Sequence, residues 1–374
     1  MEFKKTVLAI IFIYAAWGAA YVVLPLYLDS LGISFDSIGI LFGIGGLLSG
    51  LVLIGIGAYA DVLGRKTFAS VFTLLDAAAY AIYGLFSSFF PLALIKSSSD
   101  FAHNASFNML SARVIDASHR DRLGRNYGYF FGLSSLAAVP FIVLVGYLIA
   151  NSGYSFTFLA IGLIAFLGFL TTLTFKREHM EKTKVELFPK VLLDREAWIF
   201  TVYNALRGFS FAIIVFAEPL FFRHMLGMGD TEVAIVMSGS WLAYGLSGVV
   251  FGPLVDRFGA RVSCLLGSVL DGASWIAMVM VQDKWLAIFF YLAGSFFMGP
   301  AVIGSFRAMA LIPKKEDVGR DNAVFGYAFS AASVLGLFVG GYLAKESLSL
   351  NFIVRSVTLV SAGLLALALS KRAD

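Results

Sequence analysis

The chain has 374 residues, of which 59% are hydrophobic, 15% aromatic and only 14% charged, with a mean hydropathy of +0.85. Soluble globular domains carry about 25% charged residues, so this composition excludes that class and predicts a polytopic membrane protein. The formal charge of +4 and pI of about 9.0 arise from bases in short loops between apolar runs; they speak to membrane topology and against a nucleic-acid partner. The single cysteine, Cys264, excludes an intramolecular disulfide and belongs to no ligand pattern, so it reads as a packing residue and no metal or cofactor is expected.

In chain order, apolar segments of about 20 residues, enough to span a bilayer, fall at 6–29, 37–60, 67–88, 91–113, 127–150, 156–175, 198–222, 233–255, 262–282, 284–309, 323–345 and 350–370. Lys4 and Lys5 ahead of the first resemble the start of a secretion signal. The run that follows is longer than a signal core and has a counterpart in the second half, so it is expected to stay as the first helix. Of the 28 Lys and Arg, all but Lys96, Arg207, Arg223, Lys284, Lys345 and Arg355 lie at the termini, the even-numbered turns or the adjoining helix ends. The positive-inside rule then predicts that both termini are cytoplasmic. The polar stretch 176–197 is expected to be a cytoplasmic linker, in part an amphipathic surface helix. It would join an N-terminal six-helix bundle, 1–175, to a C-terminal one, 198–374.

Two short charged turns organise this pattern. Gly57-Ala58-Tyr59-Ala60-Asp61-Val62-Leu63-Gly64-Arg65-Lys66 has its echo, 195 positions later, in Gly252-Pro253-Leu254-Val255-Asp256-Arg257-Phe258-Gly259-Ala260-Arg261. A glycine permits close helix approach, an aspartate closes a helix, a second glycine allows the reversal, and the bases hold the turn on one side. The same offset relates Leu75-Asp76 to Leu270-Asp271, Gly124-Arg125 to Gly319-Arg320, and Gly146-Tyr147-Leu148 to Gly341-Tyr342-Leu343. The chain is an internal duplication.

The duplicated turn resembles the cytoplasmic loop between the second and third helices of the major facilitator superfamily, departing at Val62 and Ala260, where the family carries bases. The resemblance covers nearly the whole chain. It implies an all-α fold of twelve transmembrane helices in two pseudo-symmetric six-helix bundles. It also implies a solute site near the bilayer midplane, lined by the first, fourth, seventh and tenth helices, and transport by alternating access. The switch residues implied are Gly57, Asp61, Gly64, Arg65, Lys66 and Arg113 in the first half and Asp256, Arg257, Gly259, Arg261 and Arg307 in the second, with Arg113 and Arg307 as partners of Asp61 and Asp256.

Charges inside apolar segments are costly and mark function first. At ~100° per residue, Lys96, Asp100, His103 and Phe107 share one face, with Asn104 at its edge. Either Lys96 and Asp100 form a permanent pair, or Asp100 exchanges a proton as Lys96 approaches and retreats. On a continuous seventh helix Tyr203, Arg207 and Glu218 share a face, so Arg207 is a candidate anion anchor and Glu218 a candidate cation or proton site. Tyr14, Trp17 and Tyr21 face one way on the first helix, and Tyr291 lies on the tenth. Asp76 and Asp271 are expected to be structural, each tied to a neighbouring helix of its own half.

There is no phosphate-cradling loop, zinc-protease motif or nucleophile motif, so an enzyme is not expected. The fifth helix keeps only Pro140 of the superfamily's drug-exporter glycine signature. The leading expectation is a monomeric carrier in the cell membrane exporting a small organic solute against protons. The alternatives are proton-coupled uptake of an organic anion or, further off, a channel or a non-transporting receptor.

Overall fold

A computed structural model describes residues 2–63, 65–116, 123–176, 194–313 and 318–370. Their regular structure is helical: α1 (Glu2–Ser30), α2 (Phe35–Leu63), α3 (Arg65–Ile82) with a 3-10 turn at Tyr83–Leu85, α4 (Phe89–Asp116), α5 (Leu123–Leu173), α6 (Arg195–Ala212), α7 (Ala217–His224), α8 (Asp230–Met280), α9 (Lys284–Leu311), α10 (Val318–Glu346) and α11 (Leu348–Ala366). Among the described residues, eight helical stretches are long and apolar enough to cross a membrane. Two of these, 46 and 51 residues long, would extend ~70 Å or more if straight, against a hydrocarbon core of ~30 Å. Each is broken at one glycine: Gly153 (φ 76°, ψ 174°) in α5 and Gly259 (φ 83°, ψ 168°) in α8. A Cβ would clash in that backbone region, so glycine is what allows a reversal without a loop.

The helices gather into two compact units. The first comprises 1–117, 134–184 and 216–239; the second comprises 118–133, 185–215 and 240–374. The units cross the repeat boundary: a piece of α5 groups with the second, and α7 with the start of α8 groups with the first. In the second unit the core is Phe200, Tyr203, Cys264, Ile312 and Phe325, interleaved with Ala197, Ala260, Ala308, Ala362 and Ala366. Small residues there let helices pack by dispersion where lipid offers no hydrophobic drive. Helices α5 and α8 come close there too: a Cβ on Gly128 would lie 2.4 Å from the Gly248 carbonyl oxygen.

One predicted element differs. The segment 198–222 is two helices, with turns at 213–216. Pro219 has no N–H for the carbonyl of Val215, and here the helix breaks and restarts at Ala217, although α1, α5, α8 and α9 run through Pro25, Pro140, Pro253 and Pro300. The shared face of Arg207 and Glu218 therefore does not form.

Candidate functional site

In the first unit, α1, α3 and α4 assemble a buried polar centre under an aromatic cover. Asp76 of α3 is 1% exposed and His103 of α4 is 7% exposed. Ser99 Oγ donates to Asp76 Oδ1 at 2.7 Å, and His103 Nδ1 stands 3.5 Å from Asp76 Oδ2. Nδ1 makes no hydrogen bond, so the contact is at ion-pair range only. Trp17 of α1 stacks on the His103 ring, 5.4 Å between centroids at 16°. Phe107 lies on its other flank at 6.1 Å and 18°, and Tyr14 bridges Trp17 and Phe107. Tyr21 continues the aromatic row next to Trp17. The sequence treats Asp76 as structural and His103 as a lone ring; the fold brings them together because residues 99 and 103, one turn apart, face the same point of α3.

Lys96 is committed. Its ammonium is paired with both oxygens of Asp100 and lies 4.5 Å over the Phe42 ring. The α2 backbone is so close that a Cβ on Gly45 would sit 2.6 Å from Asp100 Oδ2, which leaves that carboxylate little room to swing away. Asn104 donates to Ser49 Oγ at 3.0 Å.

The second unit holds the register mate of Asp76. Asp271, 2% exposed, receives Arg355 Nη2 at 3.2 Å on both oxygens. Arg355 also donates to the Ser210 carbonyl at 3.1 Å and lies 4.7 Å over the Trp275 ring. The charge pattern counts Arg355 among the bases opposite the termini, near the start of the segment 350–370; in the structure it is inside α11 and 2% exposed. About two turns into its helix, its side chain turns inward to the carboxylate.

Arg207 donates to Ser305 Oγ at 2.7 Å and lies 5.8 Å over the Tyr203 ring, both neutral partners. Tyr203 and Tyr291 are fully buried. The Tyr203 hydroxyl lies 3.4 Å from Ser268 Oγ, and the Tyr291 hydroxyl donates to Ser240 Oγ at 3.0 Å. Glu218 is buried in the first turn of α7.

Similarity adds the decisive fact. A model of the Major Facilitator Superfamily matches residues 6–203 and 200–372. The chain belongs to the Major Facilitator Superfamily. It is a multi-pass membrane transporter, not an enzyme. The methyl viologen resistance protein SmvA of Salmonella typhimurium, in two strains, is 26% identical over 199 residues, covering 52% of this chain and 39% of the relative. The chain therefore spans well under half the length of these curated relatives. Two solved transporters share the fold: the nucleoside transporter NupG, with a TM-score of 0.77 at 14% identity over 99% of this chain and 100% of the other, and the human organic anion transporter MFSD10, at 0.75 and 13% over 98% of each.

The superfamily's duplicated turn is described in its second copy. Asp256 Oδ1 receives Arg307 at 2.7 Å, and Asp256 Oδ2 receives the backbone N–H of Arg125 at 2.9 Å. Arg257 lies 5.8 Å from the Phe258 ring, and Arg261 follows Gly259, half-buried. In the first copy Lys66 donates to the Leu173 carbonyl at 2.7 Å. Gly64 lies outside the described residues, and so do the side chains of Gly57, Asp61, Arg65 and Arg113 and the linker residues 177–193.

This superfamily member also has a charged latch that the sequence leaves unassembled. Arg223 meets Asp29 at 2.9 Å and Asp230 at 2.6 Å. Tyr154 donates to Asp230 at 2.8 Å, and His224 Nε2 lies 3.0 Å from Asp29. The latch ties residues of the first repeat, Asp29 and Tyr154, to residues of the second, all within one compact unit. Its one legible signal is Arg223, a base at the wrong end of a segment.

Proposed function

We propose that this chain is a proton-coupled exporter of a small, planar, cationic organic solute, working as a monomer in the cell membrane by alternating access. In this reading twelve segments cross the bilayer, both termini are cytoplasmic, and the repeats 1–175 and 198–374 move against each other. The observation that carries the choice of solute is the commitment of Lys96 to Asp100. With its charge cancelled, what remains is Asp76 of α3 and His103 of α4 beneath the Tyr14, Trp17 and Phe107 rings, surroundings suited to a flat cation. The name of the SmvA relatives, methyl viologen resistance, supports the same class.

Everted membrane vesicles containing the full chain test this directly. Radiolabelled methyl viologen should accumulate when the vesicle interior is made acidic and leak out when nigericin collapses the gradient. Accumulation that ignores the gradient would sink the coupling, and none at all would sink the solute class. A second reading, uptake of an organic anion, draws on Arg207, which bonds the Ser305 hydroxyl and packs on the Tyr203 ring. Benzoate transport that is lost in Arg207→Gln would favour it instead.

A further inference from the structure

We propose that Asp76 and His103 together form the proton-binding site of this carrier, a role that rests on the proton-coupled reading above. The argument begins with charge. Asp76 and His103 lie 3.5 Å apart, almost wholly removed from solvent, at 1% and 7% exposure. With no proton the pair carries one negative charge, and with two it carries one positive charge. With one proton it is neutral overall, as acid beside imidazole or carboxylate beside imidazolium. Isolated charge is expensive in an apolar interior, so the centre is built to hold one shared proton and to give it up only when its surroundings change.

Among the described residues, the groups facing the pair supply no fixed cation to replace that proton. From α1 comes the Trp17 ring. From α3 and the turn that follows it come Tyr80 and Tyr83, whose hydroxyls are electrostatic neighbours of Asp76. From α4 come Ser99, bonded to Asp76, Phe107, and Asp100, whose charge Lys96 already balances. The repeat furnishes an internal control. Asp271, 195 positions later, meets Arg355, a guanidinium that does not deprotonate in proteins. That pair is neutral without a proton and has none to exchange. Duplication has kept the carboxylate in both halves while the partner's chemistry differs.

The aromatic cover also makes the site optically readable. Imidazolium quenches indole emission on contact, and Trp17 stacks on His103 at 5.4 Å. The Trp17 component is isolated by subtracting the emission of Trp17→Phe from that of the wild type, both as purified full-length protein in detergent. It should be quenched as the pH falls, the quench should vanish in His103→Gln, and its pH dependence should change in Asp76→Asn. A Trp17 component insensitive to pH, or one that titrates unchanged in His103→Gln or Asp76→Asn, overturns the site. The subtraction leaves the pair itself intact, so it can be read even if the pair variants do not fold. A normal Trp17 titration together with transport indifferent to a pH gradient would overturn proton coupling and leave the site; a flat titration with gradient-driven transport would do the reverse.

Discussion

Asp76 and Asp271 occupy the same register of two repeats and are equally buried, yet one faces a histidine and the other an arginine. The second unit thus holds a closed ion pair, locked by a guanidinium that also anchors the Ser210 carbonyl and packs on Trp275. The first unit holds a centre whose charge depends on a proton. A duplicated fold can keep a carboxylate as scaffold in one copy and leave it exchangeable in the other by changing a single partner. Charged and glycine contacts occur in both units, Asp256–Arg307 being a charged one in the second, but two further closures differ in kind. The first closes Asp29, Arg223, Asp230 and Tyr154 through charge, whereas the second closes α5 on α8 through bare glycine backbone.

The contrast is easiest to break at Arg355. Arg355→Met strands a buried carboxylate and should cost about 3–5 kcal/mol, read as thermal unfolding in detergent, and adding Asp271→Leu should restore most of it. Asp76→Asn removes no fixed ionic partner and should cost only about 1 kcal/mol, the net value of an ordinary hydrogen bond. Equal losses would mean that the two carboxylates play the same role. His103→Arg would make the first unit resemble the second: accumulation driven by a pH gradient should fall to background while the protein remains folded, and retained gradient-driven accumulation would refute the distinction.

Gly128→Ala places a methyl against the Gly248 carbonyl and should lower stability by about 1–3 kcal/mol, as overpacking does, with no dependence on salt. Arg223→Gln should have the smallest effect, under about 1 kcal/mol, because the latch is partly solvated and screened. Its cost should shrink as ionic strength rises, and an effect that persists at 1 M salt would mean the latch is held by packing and not by charge.

Much of the fold was legible because its causes are local or repetitive. Apolar runs of membrane length, bases at alternate turns, and a glycine-centred turn repeated at a fixed offset each need only a short window of sequence. Gly259 was readable as a reversal because one backbone conformation demands it. The break before Pro219 was not legible, because Pro25, Pro140, Pro253 and Pro300 sit inside helices that continue through them. Arg223 and Arg355 were visible as misplaced bases, without their carboxylates.

The sequence by itself determined that this chain lives in a membrane, that it is a duplication, and which few charged residues its helices carry inward. Only the tertiary structure decided which of those charges cancel. Pairing of Lys96 with Asp100 runs along one helix and could be read from spacing. The partners of Asp76 and Asp271 come from α4 and α11, and the packing of whole helices sets which side chain arrives opposite each carboxylate. Helical periodicity fixes the direction in which a side chain points; what it meets there depends on the neighbouring helix.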